Sequence, residues 1–208
     1  MFGDSALAFR EFALGEPLPL ATIQQAILEF LRKRTDAVVF GAQAVNAYVD
    51  EQRMTQDIDL LSVRAGDLAN ELRDYLVGRF HVAVRVRTVG RDAYRLFQVR
   101  KPKHRHLADV RHVTELPRSR TIAGVLVLEP AELIAAKVIA YQKRRGQPKS
   151  GTDWRDVASL LLKFPELKTK TGPVLGALNA READSAALAV WRALVVEEIV
   201  PEDDEEGF

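Results

Sequence analysis

The sequence predicts an α+β fold: a mixed β-sheet flanked by helices, with a mainly helical part at its C-terminal end. Three observations predict it. Apolar residues recur at helical spacing at Leu20, Ile23, Ile27, Leu28 and Leu31. Short apolar or alternating runs, the mark of strands, then crowd the stretch from Ala37 to Pro130. Beyond Thr152 only helix-like periods remain.

In chain order, "LATIQQAILEFLRKR" (20–34) reads as an amphipathic helix, and "AVVF" (37–40) as a short buried strand ending on Gly41. The Ala-rich "AQAVNAYVDE" (42–51) is a second helix, "DIDLLSV" (57–63) a strand, and "AGDLANELRDYLVGRF" (65–80) a helix. Three strand-like runs follow at 81–89, 94–101 and 105–113, joined by the turn-like "VGRD" and "KPKH". "GVLVLEP" (124–130) is a last short strand, closing a mixed section of five or so strands. It leads into a helix that runs to about Gly146 and carries Pro130 in its first turn, where proline is tolerated. "GQPKSGT" (146–152) reads as a loop, and helices are expected over "DWRDVASLLLKF", around 173–181, and over "SAALAVWRALVVEEI". This divides the chain into a core with its N-terminal helix (1–123), a mainly helical part (124–200) and an acidic tail (201–208).

The 208 residues, 47% hydrophobic and 28% charged, are those of a globular chain with a substantial core. Without cysteine there is no disulfide and no thiolate metal site, which suits a reducing compartment. No basic, apolar leader pattern opens the sequence, and no apolar run approaches the ~20 residues of a membrane helix. The expectation is a soluble, cytoplasmic protein without membrane contact. A net charge of +1 hides an asymmetry: Arg79 to Arg120 hold twelve Lys or Arg against three acids, and all four histidines (His81, His104, His106, His112). Such a ribbon suits a polyanion, nucleotide or nucleic acid, though outward arginines on an exposed strand give the same pattern. The last twelve residues carry seven acids and read as a frayed, solvated tail.

The segment "MTQDIDLLSV" (54–63) holds the sharpest chemical signal. Residues i and i+2 of a strand face one way, so the carboxylates of Asp57 and Asp59 emerge side by side. Two adjacent like charges need either water or a cation between them. Asp109, inside "HLADV" on a later strand, is a third carboxylate able to converge on the same small volume. Hard oxygen ligands of this kind suit Mg²⁺, and two such ions can clamp both oxygens of a phosphoryl transfer. Gly41, between strand and helix, lets backbone approach a phosphate. Taken singly, a strand–glycine–helix turn is usually only a tight turn, and acid pairs are common on surfaces.

Together, "VVFGAQAVNAY…RMTQDIDLL…HLADV" resembles the core signature of the DNA polymerase β-like nucleotidyltransferase superfamily. It is most similar to the nucleotidyltransferase toxins of abortive-infection (type IV) toxin–antitoxin systems, in which an Arg and a Ser or Thr precede the acid pair, as Arg53 and Thr55 do here. The later "LEPAELIAAKVIAYQKRR…TDWRDVASLL" also resembles that group, with Lys137, Arg144 or Arg145, Asp153 and Asp156 in the corresponding places. The resemblance spans roughly 37–162. It implies a nucleotidyltransferase-like fold whose helical part completes the nucleotide site, and transfer of a nucleoside monophosphate from an NTP to an acceptor hydroxyl, with release of pyrophosphate. Asp57 and Asp59 would hold the metal ions, two Mg²⁺, and Asp109 would share one and act as general base. Gly41 and Ala42 would cradle phosphate, and Lys137 and Arg144 would offset charge on the leaving pyrophosphate. An RNA acceptor such as tRNA and a cognate antitoxin are the partners implied. One departure stands out: the family turn is usually Gly-Gly or Gly-Ser, but here it is Gly41-Ala42, which lacks a hydroxyl for phosphate.

Each remaining candidate has a plainer reading. Lys137 can be a stem lying on apolar surface, Asp153 a helix N-cap, and Asp156 the partner of a local Arg. Arg144 and Arg145 can simply be solvated. The histidines read as surface residues, and Trp154 and Trp191 as core or interface residues. Two rival functions stay open: transfer to a small molecule or protein, and a non-catalytic nucleotide- or RNA-binding member of the fold.

Overall fold

Alternation of buried and exposed side chains organises the sheet. In β2 (Ile58–Ser62), Ile58, Leu60 and Ser62 are buried while Asp59 and Leu61 keep partial exposure. In the computed structural model, which describes residues 18–201, seven strands form one sheet. They are β1 (Ala37–Phe40), β2, β3 (Val84–Val89), β4 (Ala93–Gln98), β5 (Arg105–His112), β6 (Ser119–Ile122) and β7 (Val125–Leu128), in the order β3-β4-β5-β2-β1-β7-β6. β1 runs antiparallel to β2 and parallel to β7, and β2 runs parallel to β5, so the sheet is mixed. The acidic tail expected at 201–208 lies outside the described residues apart from Pro201.

The described chain divides into two units, one holding residues up to Ala44 with Arg53–Leu128, the other Val45–Gln52 with everything from Glu129 on. In the first, α1 (Leu20–Leu31) buries Ile23, Ala26, Ile27 and Leu31, the i, i+3, i+4 stripe that its sequence predicts. Helix α2 (Gly41–Asn46) begins directly on β1, and α3 (Ala65–Phe80) packs on the sheet through Leu68, Leu72, Leu76 and Phe80. Each such fully buried side chain contributes about 1.5–3 kcal/mol of transfer free energy. His81 closes α3 in the left-handed conformation (φ 53°), which delays β3 to Val84 rather than the expected His81.

The second unit is helical. Among its described residues, α4 (Pro130–Lys143), α5 (Pro148–Lys163), α6 (Pro173–Ala180) and α7 (Ser185–Val196) each start with or just after a residue that tolerates a helix N-terminus: proline for the first three and, for α7, the cap Asp184, whose carboxylate accepts from the Ala187 amide. α4 packs on α5, α6 and α7, and Trp191 of α7 is buried in this core. Trp154, by contrast, is partly exposed, in a cleft lined by Val49, Leu162 and Val200.

The structure corrects several expectations. The sheet has seven strands, one more than the six runs read as strands, because "SRTI" (119–122) pairs with β7 as a hairpin. The second helix stops at Asn46 rather than Glu51. The segment read as a loop at 146–152 is helical from Pro148, a proline at the first helical position being compatible with α5. Gln147, not Asp153, is therefore the N-cap, and Asp153 lies inside the helix.

Candidate active site

Strand pairing brings two of the three candidate carboxylates face to face. β2 and β5 are parallel neighbours with Asp59 opposite Asp109, and Asp57, two residues before Asp59, opens the same face. All three are partly shielded, with side-chain exposures of 33% for Asp57, 24% for Asp59 and 14% for Asp109. On the other side of β2, Phe40 lies opposite Asp59, and the chain turns at once into Gly41. Gly41 has φ +72°, and a Cβ there would stand 2.2 Å from Asp59 Oδ2. Only glycine permits that approach.

A fourth residue joins the acids. The pairing of β4 with β5 slips between Leu96 and Phe97: Leu96 faces Ala108, whereas Phe97 faces His106, so Leu107 is extra. Such a bulge shifts the phase of alternation by one residue. It places His106 on the carboxylate face, where simple alternation would have turned it away from Asp109. Its Nδ1 lies 2.9 Å from Asp57 Oδ2 and its Nε2 3.0 Å from Asp109 Oδ1. Both ring nitrogens address carboxylates, so both carry protons and the ring is a cation. Hydrogen bonds to Asp109 and then Asp57 raise its pKa from 6.5 to about 9. His106 is thus a partly buried site residue and not the surface histidine expected.

Two arginines complete the charge balance. Arg95 on β4 donates from Nε and a terminal nitrogen to the two oxygens of Asp109, both at 2.8 Å, a bidentate fork. Burial pushes the Asp109 carboxyl up, but hydrogen bonds from Arg95 and His106 outweigh it and hold the group well below the usual carboxylate range. The bond to Asp109 likewise raises Arg95. Arg111 reaches within 3.8 Å of Asp59 Oδ1 while its guanidinium lies over the Phe40 ring. Thr55, on the approach to β2, accepts at Oγ1 from Gln24 (3.2 Å) and donates to Gln43 (3.2 Å), which ties this loop to α1 and α2. Arg53 bonds the neighbouring Met54 carbonyl, and Ala42 sits in the first turn of α2.

The remaining candidates lie in the second unit and gather there. Asp153 and Asp156 on α5 are both 2% exposed. Lys137 on α4 contacts Asp156 at 2.5 Å and Asp153 at 3.5 Å, and Arg144 donates to Asp153 at 2.6 Å. Spaced three apart on one helix face, the two acids meet both cations and leave no buried charge alone. Arg145 is exposed.

The donor set suits a hard divalent cation. Asp57, Asp59 and Asp109 offer carboxylate oxygens, and oxygens of Asp57 and Asp109 lie within 4.8 Å of one another. His106, protonated on both nitrogens, offers no ligand atom while it stays a cation. In this structure the three acids are met by His106, Arg95 and Arg111.

No family model matches the chain, and no curated protein matches it. Solved structures do. The polyadenylate synthase of Megavirus superposes with a TM-score of 0.58 over 77% of this chain at 15% identity, although the chain spans only 34% of that protein. JHP933 of Helicobacter pylori gives 0.52 at 11% identity, covering 89% of this chain and 90% of that one. A second H. pylori structure, which bears a nucleotidyltransferase designation, gives 0.52 at 12% identity over 89% and 95% of the two chains. Among the described residues no helix is long and apolar enough to cross a membrane. The mixed seven-stranded sheet with its flanking helices is a nucleotidyltransferase-like fold.

Proposed function

We propose that the protein is a Mg²⁺-dependent nucleotidyltransferase that moves a nucleoside monophosphate from an NTP to an acceptor hydroxyl. The observation that carries this reading is the pairing of Asp59 with Asp109 across β2 and β5, with Asp57 on the same face and Gly41 pressed against Asp59. In the reaction the acceptor oxygen forms a bond to the α-phosphorus, the bond to pyrophosphate breaks, and the acceptor proton passes to a base. Asp57, Asp59 and Asp109 would hold one or two Mg²⁺ ions, which supply charge neutralisation of the triphosphate and acidify the acceptor hydroxyl when bound. Gly41 and Ala42 offer backbone to phosphate, and Thr55 and Arg53 flank the acid pair. Asp109 is the proton acceptor by resemblance. The hydrogen bonds from Arg95 and His106 hold its carboxyl well below the usual range, so while they are in place it is a weak base. Lys137 and Arg144 would be triphosphate contacts by resemblance alone; within their own unit they are paired with Asp156 and Asp153.

The sequence resemblance adds a finer layer to the same proposal. The acceptor is RNA such as tRNA, the role is that of a cytoplasmic toxin, and a cognate antitoxin is its partner. The test is transfer of label from α-³²P NTPs to RNA with Mg²⁺. Asp59→Ala abolishes transfer while leaving circular dichroism unchanged; retained transfer in that variant would sink the carboxylate assignment.

Two observations favour a second reading, a non-catalytic nucleotide- or RNA-binding protein. Both oxygens of Asp109 are already taken by Arg95, and the turn carries Ala42 rather than Gly or Ser. Titration calorimetry of each NTP with and without Mg²⁺ separates the two. Mg²⁺-dependent binding that disappears in Asp57→Ala/Asp59→Ala supports transfer; metal-independent binding supports the scaffold.

A further inference from the structure

The register that aligns the carboxylates continues to the edge of the sheet. Asp59 faces Asp109, Asp109 faces Arg95, and Arg95 faces Arg87 on the edge strand β3. In the neighbouring row Arg85 faces Phe97, which faces His106. Arg87 therefore shares a face with the acids at a distance of two strands, about 10 Å from Asp109 along the sheet. Arg85 and Arg87, at i and i+2, point the same way about 7 Å apart.

The arginines of this unit fall into those held by an acid and those that are not. Arg34, Arg64, Arg73, Arg79, Arg95 and Arg111 are each engaged by an acid. Arg85 and Arg87, like Arg91 and Arg118, are exposed and, among the described residues, meet no carboxylate. What sets these two apart is their place opposite Phe97 and Arg95, on the rows that lead to the acids. Beside them lies an aromatic platform, the Phe97 ring stacked on His104 at 5.2 Å and 25°. Cations spaced like consecutive phosphates of an extended strand, next to a stacked ring pair, match single-stranded nucleic acid. Its unstacked bases can reach a ring, which those of a duplex cannot. An acidic protein surface would use the arginines and leave the ring pair idle.

We infer that the β3–β4 hairpin is a track for a single-stranded RNA acceptor, with backbone phosphates on Arg85 and Arg87 and a base on the Phe97–His104 stack, so that the strand's end reaches the Asp59–Asp109 face. Delivery of a hydroxyl to that face rests on the nucleotidyl-transfer reading; binding along the track does not.

The experiment is fluorescence anisotropy of a labelled 12-nucleotide single-stranded RNA with the full chain, without NTP or Mg²⁺, over a series of salt concentrations. The double variant Arg85→Gln/Arg87→Gln weakens binding and lowers the magnitude of the salt slope by about 1.4, about 0.7 for each phosphate no longer neutralised. Phe97→Leu weakens binding about fivefold or more and leaves the slope unchanged. Arg85→Lys/Arg87→Lys keeps the slope, and thermal melts show all variants folded. An unchanged slope in the Gln variant overturns the track. So does displacement of the RNA by polyglutamate as effectively as by unlabelled RNA, which would point to an acidic protein instead. RNA binding with this signature but no NMP transfer from any NTP supports the track and overturns the catalytic reading. NMP transfer to a small molecule without RNA binding overturns the track and leaves the chemistry standing.

Discussion

Gly41 lies against the carboxylate of Asp59 so closely that a methyl group at its Cα would stand 2.2 Å from Oδ2. The turn after β1 and the acid of β2 have therefore been shaped as one unit. A side chain at 41 must displace the carboxylate, and the backbone there (φ +72°) resists any L-residue. Gly41→Ala should lose about 1–2 kcal/mol from the left-handed conformation alone, and more from the collision. Urea denaturation measures the total. The double variant Gly41→Ala/Asp59→Gly should recover the collision part and retain the backbone part.

His106 should titrate far above an ordinary imidazole. In metal-free protein, ring-nitrogen NMR should place its pKa near 9. Because the folded value lies above the unfolded 6.5, the stabilisation is fully present below pH 6.5 and is lost as pH rises through about 9. His106→Gln should flatten that part of the stability profile, and Asp109→Asn should bring the pKa of His106 down.

At the acid end a different cluster governs. Arg34 holds Asp36 at 2.8 Å and Glu71 at 2.7 Å, and Arg64 also contacts both. The hydrogen bond from Arg34 lowers the carboxyl pKa of Asp36, and likewise that of Glu71. Lowered folded values contribute stability above the unfolded pKa, 3.8 for Asp36 and 4.5 for Glu71, and lose it as pH falls below them. Asp36→Asn should cost about 1 kcal/mol at pH 7 and remove part of the loss on acidification, read by thermal melts from pH 7 to 3.

Lys137 should be costly to remove. Truncation to Ala leaves Asp156, 2% exposed, without its ammonium partner, and breaking a buried pair costs about 3–5 kcal/mol. Lys137→Met/Asp156→Leu should recover most of the stability, because a matched apolar pair carries no stranded charge. Chemical denaturation of the two variants checks both expectations.

Much of the site was legible in the sequence. "AVVF" followed by glycine, and "DIDLL" with its alternation, announced β1, the Gly41 turn and the acid-bearing β2, because a strand with one buried face must alternate. Asp109 inside an apolar run was legible on the same ground. His106 was not. Under strict alternation it faces away from Asp109, and only the extra residue at Leu107 brings it round. The adjacent pair Leu107-Ala108, both buried, was the available signal, since two consecutive inward residues break the period of two. β6 escaped notice because three of its four residues, Ser119, Arg120 and Thr121, are polar and none of the four is buried, so nothing local distinguishes them from a turn. The start of α5 was hidden in "PKSG", where proline and glycine suggest a loop to any local rule.

By itself the sequence determined what local chemistry can determine: helical stripes, strand alternation, the glycine that allows a tight turn, and the two carboxylates set side by side on one strand face. Tertiary structure decided which strands became neighbours, and hence that Asp59 faces Asp109 and that Arg95 and Arg87 extend the same row. It also decided that Lys137 and Arg144 meet Asp153 and Asp156. The physical reason is that periodicity sets the face a side chain takes, whereas its partner across a sheet or between helices follows from pairing and packing over long stretches of chain.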